Sequence, residues 1–277
     1  MPTVTTNTAA NSALRFLNLN STQSGESVSK LASGSRIVRA SDDAAGLAIG
    51  TRLRADIAVL QQSAINASQG ASVLQTADGG LARLADVLQR MKSLTAQSLS
   101  GVPSNTERAF IDAEYQELLS EVDGIAATTR FNGSSLLDGS TGTQSYFVGT
   151  ESGDTIDIDF TALAAGAANF GTGGLSLTED VTTAANAAAA LIEVDAAIDL
   201  ISEARATVGG LVSRFDFRGQ QIATSIENID AAKSTVLDVD LAAEQSRLVS
   251  AQVLVQASVS ALSQANQLPQ NLLRLLQ

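Results

Sequence analysis

The sequence predicts a mainly α protein: long antiparallel helices forming a rod, terminal coiled-coil arms, and a small β-rich insertion at the centre. Three observations carry that expectation. Apolar residues recur at alternating steps of three and four through both halves of the chain. The 277 residues include 45 alanines and only 4% aromatics, a composition for close-packed helices rather than a core built on rings. Charge is partitioned: residues 1–130 carry 12 acids and 11 bases, residues 205–277 six of each, and residues 131–204 carry 11 acids and no Lys or Arg. Almost all of the net charge of -12 therefore lies in an acidic middle between two nearly neutral arms.

The elements follow in order. The polar, Thr-rich start, Met1 to Asn7, precedes a heptad seam made of Ala10, Leu14, Leu17, Ser21, Ser24, Val28 and Leu31. Ser33-Gly34-Ser35 marks its end. Ser41-Asp42-Asp43 predicts the start of a second helix, because short polar side chains cap orphan N–H groups and suit the positive end of the dipole. That helix carries Leu53, Ile57, Leu60, Ala64, Ala67, Ala71 and Leu74, then Ala77, Leu81, Leu84, Leu88 and Met91. The two steps of three at Ala71–Leu74–Ala77 are a stammer ahead of Gly79-Gly80. Unbroken from Ala44 to about Ser100, it would run roughly 85 Å at 1.5 Å per residue. Gly101-Val102-Pro103-Ser104 ends it, and Ser104-Asn105-Thr106-Glu107 opens a third helix reaching about Thr128.

In the middle, Phe131-Asn132-Gly133 and Leu137-Asp138-Gly139 are turn signals. Tyr146–Gly149 and Thr155–Phe160 read as strands, 161–174 as a loop, and Leu175-Ser176-Leu177 as one more strand. A helical stripe resumes from about Val181. It runs Val194, Ala197, Ile201, Ala204, Val208, Leu211, Phe215, Arg218, Ile222, Ser225, Ile229, Ala232 and Val236, with Arg218 its one charged member. The last arm has Leu241, Leu248, Val255 and Leu262 seven apart, with Ala251, Ser258 and Ala265 between them, and Pro269 is expected to end it. The arms hold few large apolar residues. Alone they offset little of the roughly 1–2 kcal/mol of backbone entropy per residue, so they are expected to order only against copies of themselves.

Several chemistries are excluded. With no His or Cys there are no disulfides, thiolate or imidazole metal sites, or Ser-His-Asp or Cys-His catalysis, and no spacing marks a catalytic carboxylate pair. No enzyme activity and no cofactor are expected. The acidic balance argues against nucleic acid. No stretch reads as an uninterrupted membrane span or a cleavable secretory leader, so no membrane insertion is expected. Asp154, Asp157 and Asp159 lack the Gly and bidentate Glu of an EF-hand and read as a solvated strand face.

Dense local motifs resemble those of bacterial flagellin. Leu31-Ala32-Ser33-Gly34-Ser35-Arg36-Ile37 is similar to that family's turn after the first arm, and Ser41-Asp42-Asp43-Ala44-Ala45-Gly46-Leu47-Ala48-Ile49 to its helix start. Leu88-Gln89-Arg90-Met91-Lys92-Ser93-Leu94-Thr95-Ala96-Gln97-Ser98 and Arg130-Phe131-Asn132-Gly133 match further segments, as does Gln264 through Leu276 at the other end. The resemblance covers about 1–140 and 190–277. It implies a structural subunit that self-assembles into the helical flagellar filament for swimming motility, exported through the flagellar type III channel to the cell exterior. It also implies this division: 1–40 an inner-tube arm; 41–130 rod helices; 131–180 an exposed acidic β-rich segment; 181–236 the returning rod helix; 237–277 the second inner-tube arm.

Within that frame Leu14, Leu17, Val28, Leu31, Leu241, Leu248, Val255 and Leu262 are the expected assembly residues, although an intramolecular coiled-coil core would use the same ones. Gln89, Arg90, Leu94 and Glu114 make an ordinary polar face on helical spacing alone. By resemblance they are a lateral subunit contact or the recognition site of the host Toll-like receptor for flagellin, with Ser93 and Thr95 departing from the usual Glu and Ala. The resemblance implies further partners: cap and hook-junction proteins, and an export chaperone taking Leu241–Leu276 as an amphipathic helix. Rival readings are a hook–filament junction protein, which shares the terminal helices, and a secreted coiled-coil adhesin.

Overall fold

The computed structural model describes residues 7–163 and 170–275, so Met1 to Thr6, residues 164–169 of the 161–174 loop, and Leu276 and Gln277 lie outside the described residues. Five long helices and one short one alternate with two β-hairpins: α1 (Thr8–Ser33), α2 (Ala44–Leu99), α3 (Asn105–Thr128), β1 (Arg130–Phe131), β2 (Ser134–Ser135), β3 (Thr143–Phe147), β4 (Thr155–Asp159), α4 (Phe160–Leu163), α5 (Ala184–Leu237) and α6 (Leu241–Leu275). The chain forms two compact units, residues 1–57 with 228–277, and residues 58–227.

In the first unit α1 opens on Asn7, whose side chain accepts from Ala10 N. It closes on Gly34 at φ 69, a left-handed conformation that glycine adopts without a Cβ penalty. Asp43 caps α2: its Oδ1 accepts from Gly46 N at 2.8 Å. Asp42, expected to share that task, instead accepts from Val38 N and Arg39 N and holds the preceding turn. α1 and α6 are antiparallel. Asn7 near one end of α1 meets Ala265 of α6, while Ser35 past its other end bridges Asp238. α6 continues to Leu275, past Pro269. A proline deletes one ladder hydrogen bond at a cost of about 3 kcal/mol, which a helix of this length absorbs where the local signal predicts a stop.

In the second unit α2 and α5 run antiparallel. Gly70 lies against Phe215, Asp78 pairs with Arg205, and Lys92 pairs with Asp195, one sequence rising as the other falls. α3 folds back along α2, Arg90 meeting Glu114 and Gly80 meeting Thr129. Ser104 and Glu107 form a reciprocal capping box at its start. The core is the predicted stripe: Leu74, Ala77, Leu81, Leu84, Leu88 and Met91 of α2 lie with Tyr115 and Val122 of α3 and Val194, Ala197, Ile201 and Val208 of α5, all essentially inaccessible. α2 passes through Gly79-Gly80 unbroken. A Cβ on Gly80 would sit 2.6 Å from Thr129 Oγ1, so the absent side chain is what lets the start of β1 approach.

Asn132 (φ 49) and Gly133 (φ 85) put both central residues of the β1–β2 turn in the left-handed region, the type I′ hairpin geometry. β3 and β4 pair antiparallel from Thr143↔Asp159 to Phe147↔Thr155. β3 thus starts earlier than expected, and Phe160 leaves β4 to begin α4. Leu175-Ser176-Leu177 is no strand. Ser176 sits at φ 55, and Leu175 N and Leu177 N bond back to Gly171 O and Thr172 O, so a turn drives both leucines into the core. α5 begins at Ala184 rather than Val181, with Thr183 accepting from Asn186 N as its cap.

Candidate assembly surfaces

The α1–α6 seam differs from the sequence expectation on one side. α6 turns Glu244, Leu248, Ala251, Val255, Ser258, Leu262 and Ala265 toward α1, in steps of four and three. Leu241, in the first turn, is exposed. On α1 the inward residues are Ala10, Ala13, Leu17, Asn20, Ser24, Ser27 and Leu31. Ala13, Asn20 and Ser27 take the places expected for Leu14, Ser21 and Val28. The correction has a physical source. Asn20 Nδ2 donates to Ser258 Oγ at 3.2 Å, and Glu244, whose Oε2 accepts from Arg247 Nη1 at 3.1 Å, is buried in the same seam, as Ser27 is. Glu244 is only 4% exposed. The Ser27 hydrogen bond, then Arg247 and Lys30, hold its carboxyl below the usual range and keep it ionised. Asn7 Nδ2 adds a bond to Ala265 O at 2.8 Å.

Large apolar groups are left outside. Leu14, Phe16, Leu19 and Val28 on α1, and Leu241, Val249, Val253, Leu254 and Val259 on α6, are between 46 and 62% exposed. The sequence reading named Leu14, Val28 and Leu241 among these but missed the other six. They sit off the heptad seam, and the available signal was their being apolar on a face the seam does not use. Of the remaining expected assembly residues, Leu17, Leu31, Val255 and Leu262 are half-buried and Leu248 is buried between the two helices. Leu241–Gln267 is also long and apolar enough, at mean hydropathy 1.2, to cross a membrane by length and composition. Serines and glutamines interrupt it, which is why the sequence showed no continuous apolar run.

The second surface lies on α2 and α3. Arg90 Nε and Nη2 both donate to Glu114 Oε1, at 2.8 and 2.5 Å, and Gln89 is exposed beside them. Leu94 is not on that face. At 2% exposed it is part of the core, because the α2 stripe Leu84–Leu88–Met91 reaches it at helical spacing. Thr95 is buried as well, its hydroxyl donating to Lys92 O.

Arg218, the charged interruption of the α5 stripe, fastens the β3–β4 hairpin. Its Nε donates to Val148 O at 3.1 Å and its Nη2 to Asp154 Oδ1 at 3.2 Å. Asp154 Oδ2 accepts from Thr150 N and Glu151 N, and these backbone N–H groups, ahead of Arg218, hold its carboxyl below the usual range. From α2, Ser63 Oγ donates to Gly149 O and Asn66 Nδ2 to Phe147 O, both at 2.9 Å. Tyr146 packs edge-on to Phe215 at 5.7 Å. Asp154 therefore has a structural task. Among the described residues no group of three or more acids is arranged to hold a metal ion.

A carboxylate-stapled strap then returns the chain to α5. Asp123 accepts from Thr172 N and Oγ1, Glu193 from Thr178 N and Oγ1, and Asp112 from Val181 N. Asp180 accepts from Thr182 and Asn186, bonds that lower its pKa, the Thr182 hydroxyl most. Much of the acidity of the middle is thus hydrogen-bonded to backbone rather than merely solvated.

The chain as a whole is similar to known proteins. Residues 4–142 match the family model for the bacterial flagellin N-terminal helical region, and residues 191–276 that for the bacterial flagellin C-terminal helical region. The chain is 37% identical to a flagellin of Halalkalibacterium halodurans over 98% of both chains. It is 33% identical to the flagellar filament 30.7 kDa core protein of Treponema maltophilum, over 95% of this chain and 96% of that one. A putative flagellar hook-associated protein of Vibrio parahaemolyticus superposes with a TM-score of 0.59 at 14% identity, covering 71% of this chain and 100% of that chain, a likeness of fold alone.

Proposed function

The chain belongs to the bacterial flagellin family, and on that premise we propose how its surfaces divide the work of a filament. It is a structural subunit of the flagellar filament, an extracellular polymer. Residues 1–40 and 237–277 are the association arms, 41–130 and 181–236 supply the helices around them, and 131–180 face outward.

One observation carries this reading: the α1–α6 seam mixes Leu17, Leu31, Leu248, Val255 and Leu262 with small and polar side chains, while nine other large apolar groups of the two helices face away. An isolated hairpin gains little from such an arrangement. Copies arrayed in a lattice gain about 25 cal/mol for each Å² of apolar surface they cover, repeated at every subunit. A heterologous contact that does not close a ring propagates as an open helix. The near-neutral arms suit that position, since stacking many copies of the acidic middle would be repulsive. Gln89, Arg90 and Glu114 form a polar lateral face that is also the candidate epitope for the Toll-like receptor, with Leu94 supporting it from beneath. Cap and hook-junction proteins meet the same arms at the filament ends. Before export, α6 offers its apolar side to a chaperone.

Seeded growth followed by electron microscopy tests the reading. Leu19→Asp and Val253→Asp alter exposed side chains, so each leaves monomer helicity unchanged and stops elongation. Truncation after about residue 240 leaves a soluble, folded chain that does not grow. Normal filaments from either aspartate variant would refute the assignment of the arms. A cell reporter dosed with monomer tests the receptor face separately, and silence at micromolar dose removes it.

A further inference from the structure

Of the 12 asparagines in the chain, Asn132 alone precedes a glycine. That pairing has a chemistry of its own. Glycine has no Cβ to shield its backbone nitrogen, so the neighbouring carboxamide is within its reach in a flexible chain. Gly133 N gives up its proton and attacks Asn132 Cγ. The N–Cγ bond forms, the Cγ–Nδ2 bond breaks, and ammonia carries the proton away, leaving a five-membered succinimide. Water then opens the ring. Addition at the side-chain carbonyl gives aspartate at 132. Addition at the main-chain carbonyl gives isoaspartate, whose backbone runs through the side chain and is one carbon longer.

We propose that Asn132-Gly133 is a site of this spontaneous modification in the unfolded chain, that closing the β1–β2 hairpin switches it off, and that isoaspartate at 132 prevents the hairpin from closing again. The turn itself supplies the switch. Asn132 at φ 49 and Gly133 at φ 85 occupy the type I′ positions, between the pairs Phe131↔Ser134 and Arg130↔Ser135. Ring closure needs Asn132 Cβ and Gly133 N eclipsed about the Cα–C bond, whereas the type I′ ψ of about +30° sets them roughly 150° apart. The carboxamide is exposed to water but points away from the atom that must attack it. The conformation is held from several sides. Leu136 N donates to Thr129 O at 3.0 Å, and Arg130 Nε to Ala127 O at 2.9 Å. Ser135 Oγ donates to Ala127 O at 3.3 Å, and Leu136 and Leu137 are buried. An added backbone carbon breaks the two-residue loop that this register requires, whereas aspartate before glycine still suits it. The time a chain spends unfolded is thereby written into its covalent structure. All of these residues lie in the unit formed by 58–227, so the inference is independent of how the arms assemble.

Peptide mapping by mass spectrometry tests it on the soluble full-length chain, incubated in mildly alkaline buffer with and without concentrated urea. Conversion at Asn132 should be slower without urea by about tenfold or more, because the reactive geometry requires the hairpin to open. In urea, Gly133→Ala should slow it by about tenfold as well, by shielding the attacking nitrogen. Chains converted in urea and then refolded should separate into two groups by hydrogen exchange. Those with aspartate at 132 keep the Leu136 amide protected, and those with isoaspartate lose that protection. Equal conversion with and without urea overturns the proposal, as does the absence of conversion in urea. An unchanged rate for Gly133→Ala also overturns it, since direct hydrolysis of the carboxamide would not pass through Gly133 N. Equal protection of Leu136 in the two refolded products removes the block on closing. None of these readouts depends on whether the aspartate variants of the arms grow.

Discussion

Tyr115→Phe should make this protein more stable. Tyr115, on α3, is 0% exposed, and its Oη has no hydrogen-bond partner among the described residues. Leaving a buried hydroxyl unsatisfied costs about 1–3 kcal/mol, and the phenylalanine ring fills the same space without that cost. Divided by a urea slope of roughly 3 kcal/mol per molar, the gain moves the unfolding midpoint up by about 0.3–1 M. Circular dichroism at 222 nm reads the transition, there being no Trp to follow. Tyr146→Phe is the control. Its hydroxyl donates to Gln144 Oε1 at 2.9 Å, so its removal should be neutral or cost up to about 1 kcal/mol. Alkaline pH separates the two further. Burial first, then the Glu193 and Asp112 charges, push the Tyr115 phenol from 10.0 up to about 12. A raised folded-state pKa means that the neutral phenol contributes stability in full below pH 10, which is lost as pH climbs toward 12. The Tyr115→Phe variant has no such loss from this site, so its advantage over the parent should widen across that interval. A variant less stable than the parent by 1 kcal/mol or more would show that the hydroxyl is satisfied and that the reasoning fails.

Other perturbations test other joints. A Cβ on Gly70 would lie 2.6 Å from two atoms of the buried Phe215 ring, so Gly70→Ala should lose roughly 1–3 kcal/mol to overpacking and regain about 1 in helix propensity. Gly79→Ala, with nothing within 4 Å, should show only the gain, and thermal melts will tell the two apart. Ser104→Ala removes the acceptor of the α3 capping box and should cost about 1 kcal/mol in urea titration, with hydrogen exchange rising first near Asn105. Asp138, Asp154 and Asp180 all have pKa values held below 3.8, so the stability they contribute is present above pH 4 and lost as pH falls through their folded values. Urea midpoints at pH 4.5, 3 and 2 should fall in that order, and Asp180→Asn should flatten part of the decline.

The long helices were legible because periodicity, capping residues and glycine stops agreed over tens of residues. The Asn132-Gly133 turn and both strands of the larger hairpin were legible for the same reason. What misled was the assumption that the largest apolar residues of a stripe face the nearest neighbour. That held for α2 and α5, whose partners lie in the same chain. It failed for α1, where Asn20 and Ser27 displace Leu14 and Val28 from the seam. Leu94 failed in the opposite sense: a resemblance placed it on a surface, while its spacing from Leu88 and Met91 already placed it in the core. Arg218 was noticed as an interruption, but its partners Val148 and Asp154 lie 70 and 64 residues away. No local window contains them. The carboxylate staples of the 170–183 strap escaped for the same reason where they join distant residues, Asp123 with Thr172 and Asp112 with Val181.

The half-exposed side chains of α1 and α6 also bear on how growth begins. Nine such groups, completing their burial at roughly 1 kcal/mol apiece, release about 10 kcal/mol. Joining two bodies in solution costs an estimated 4–15 kcal/mol in lost translational and rotational freedom. A pair of subunits, which covers only part of the nine, falls short, whereas a newcomer seated among several neighbours meets that cost once and covers them all. The same stripe therefore makes dimers scarce and established ends receptive. Free chains should coexist with filaments at a threshold concentration, with a lag before spontaneous growth that a seed abolishes.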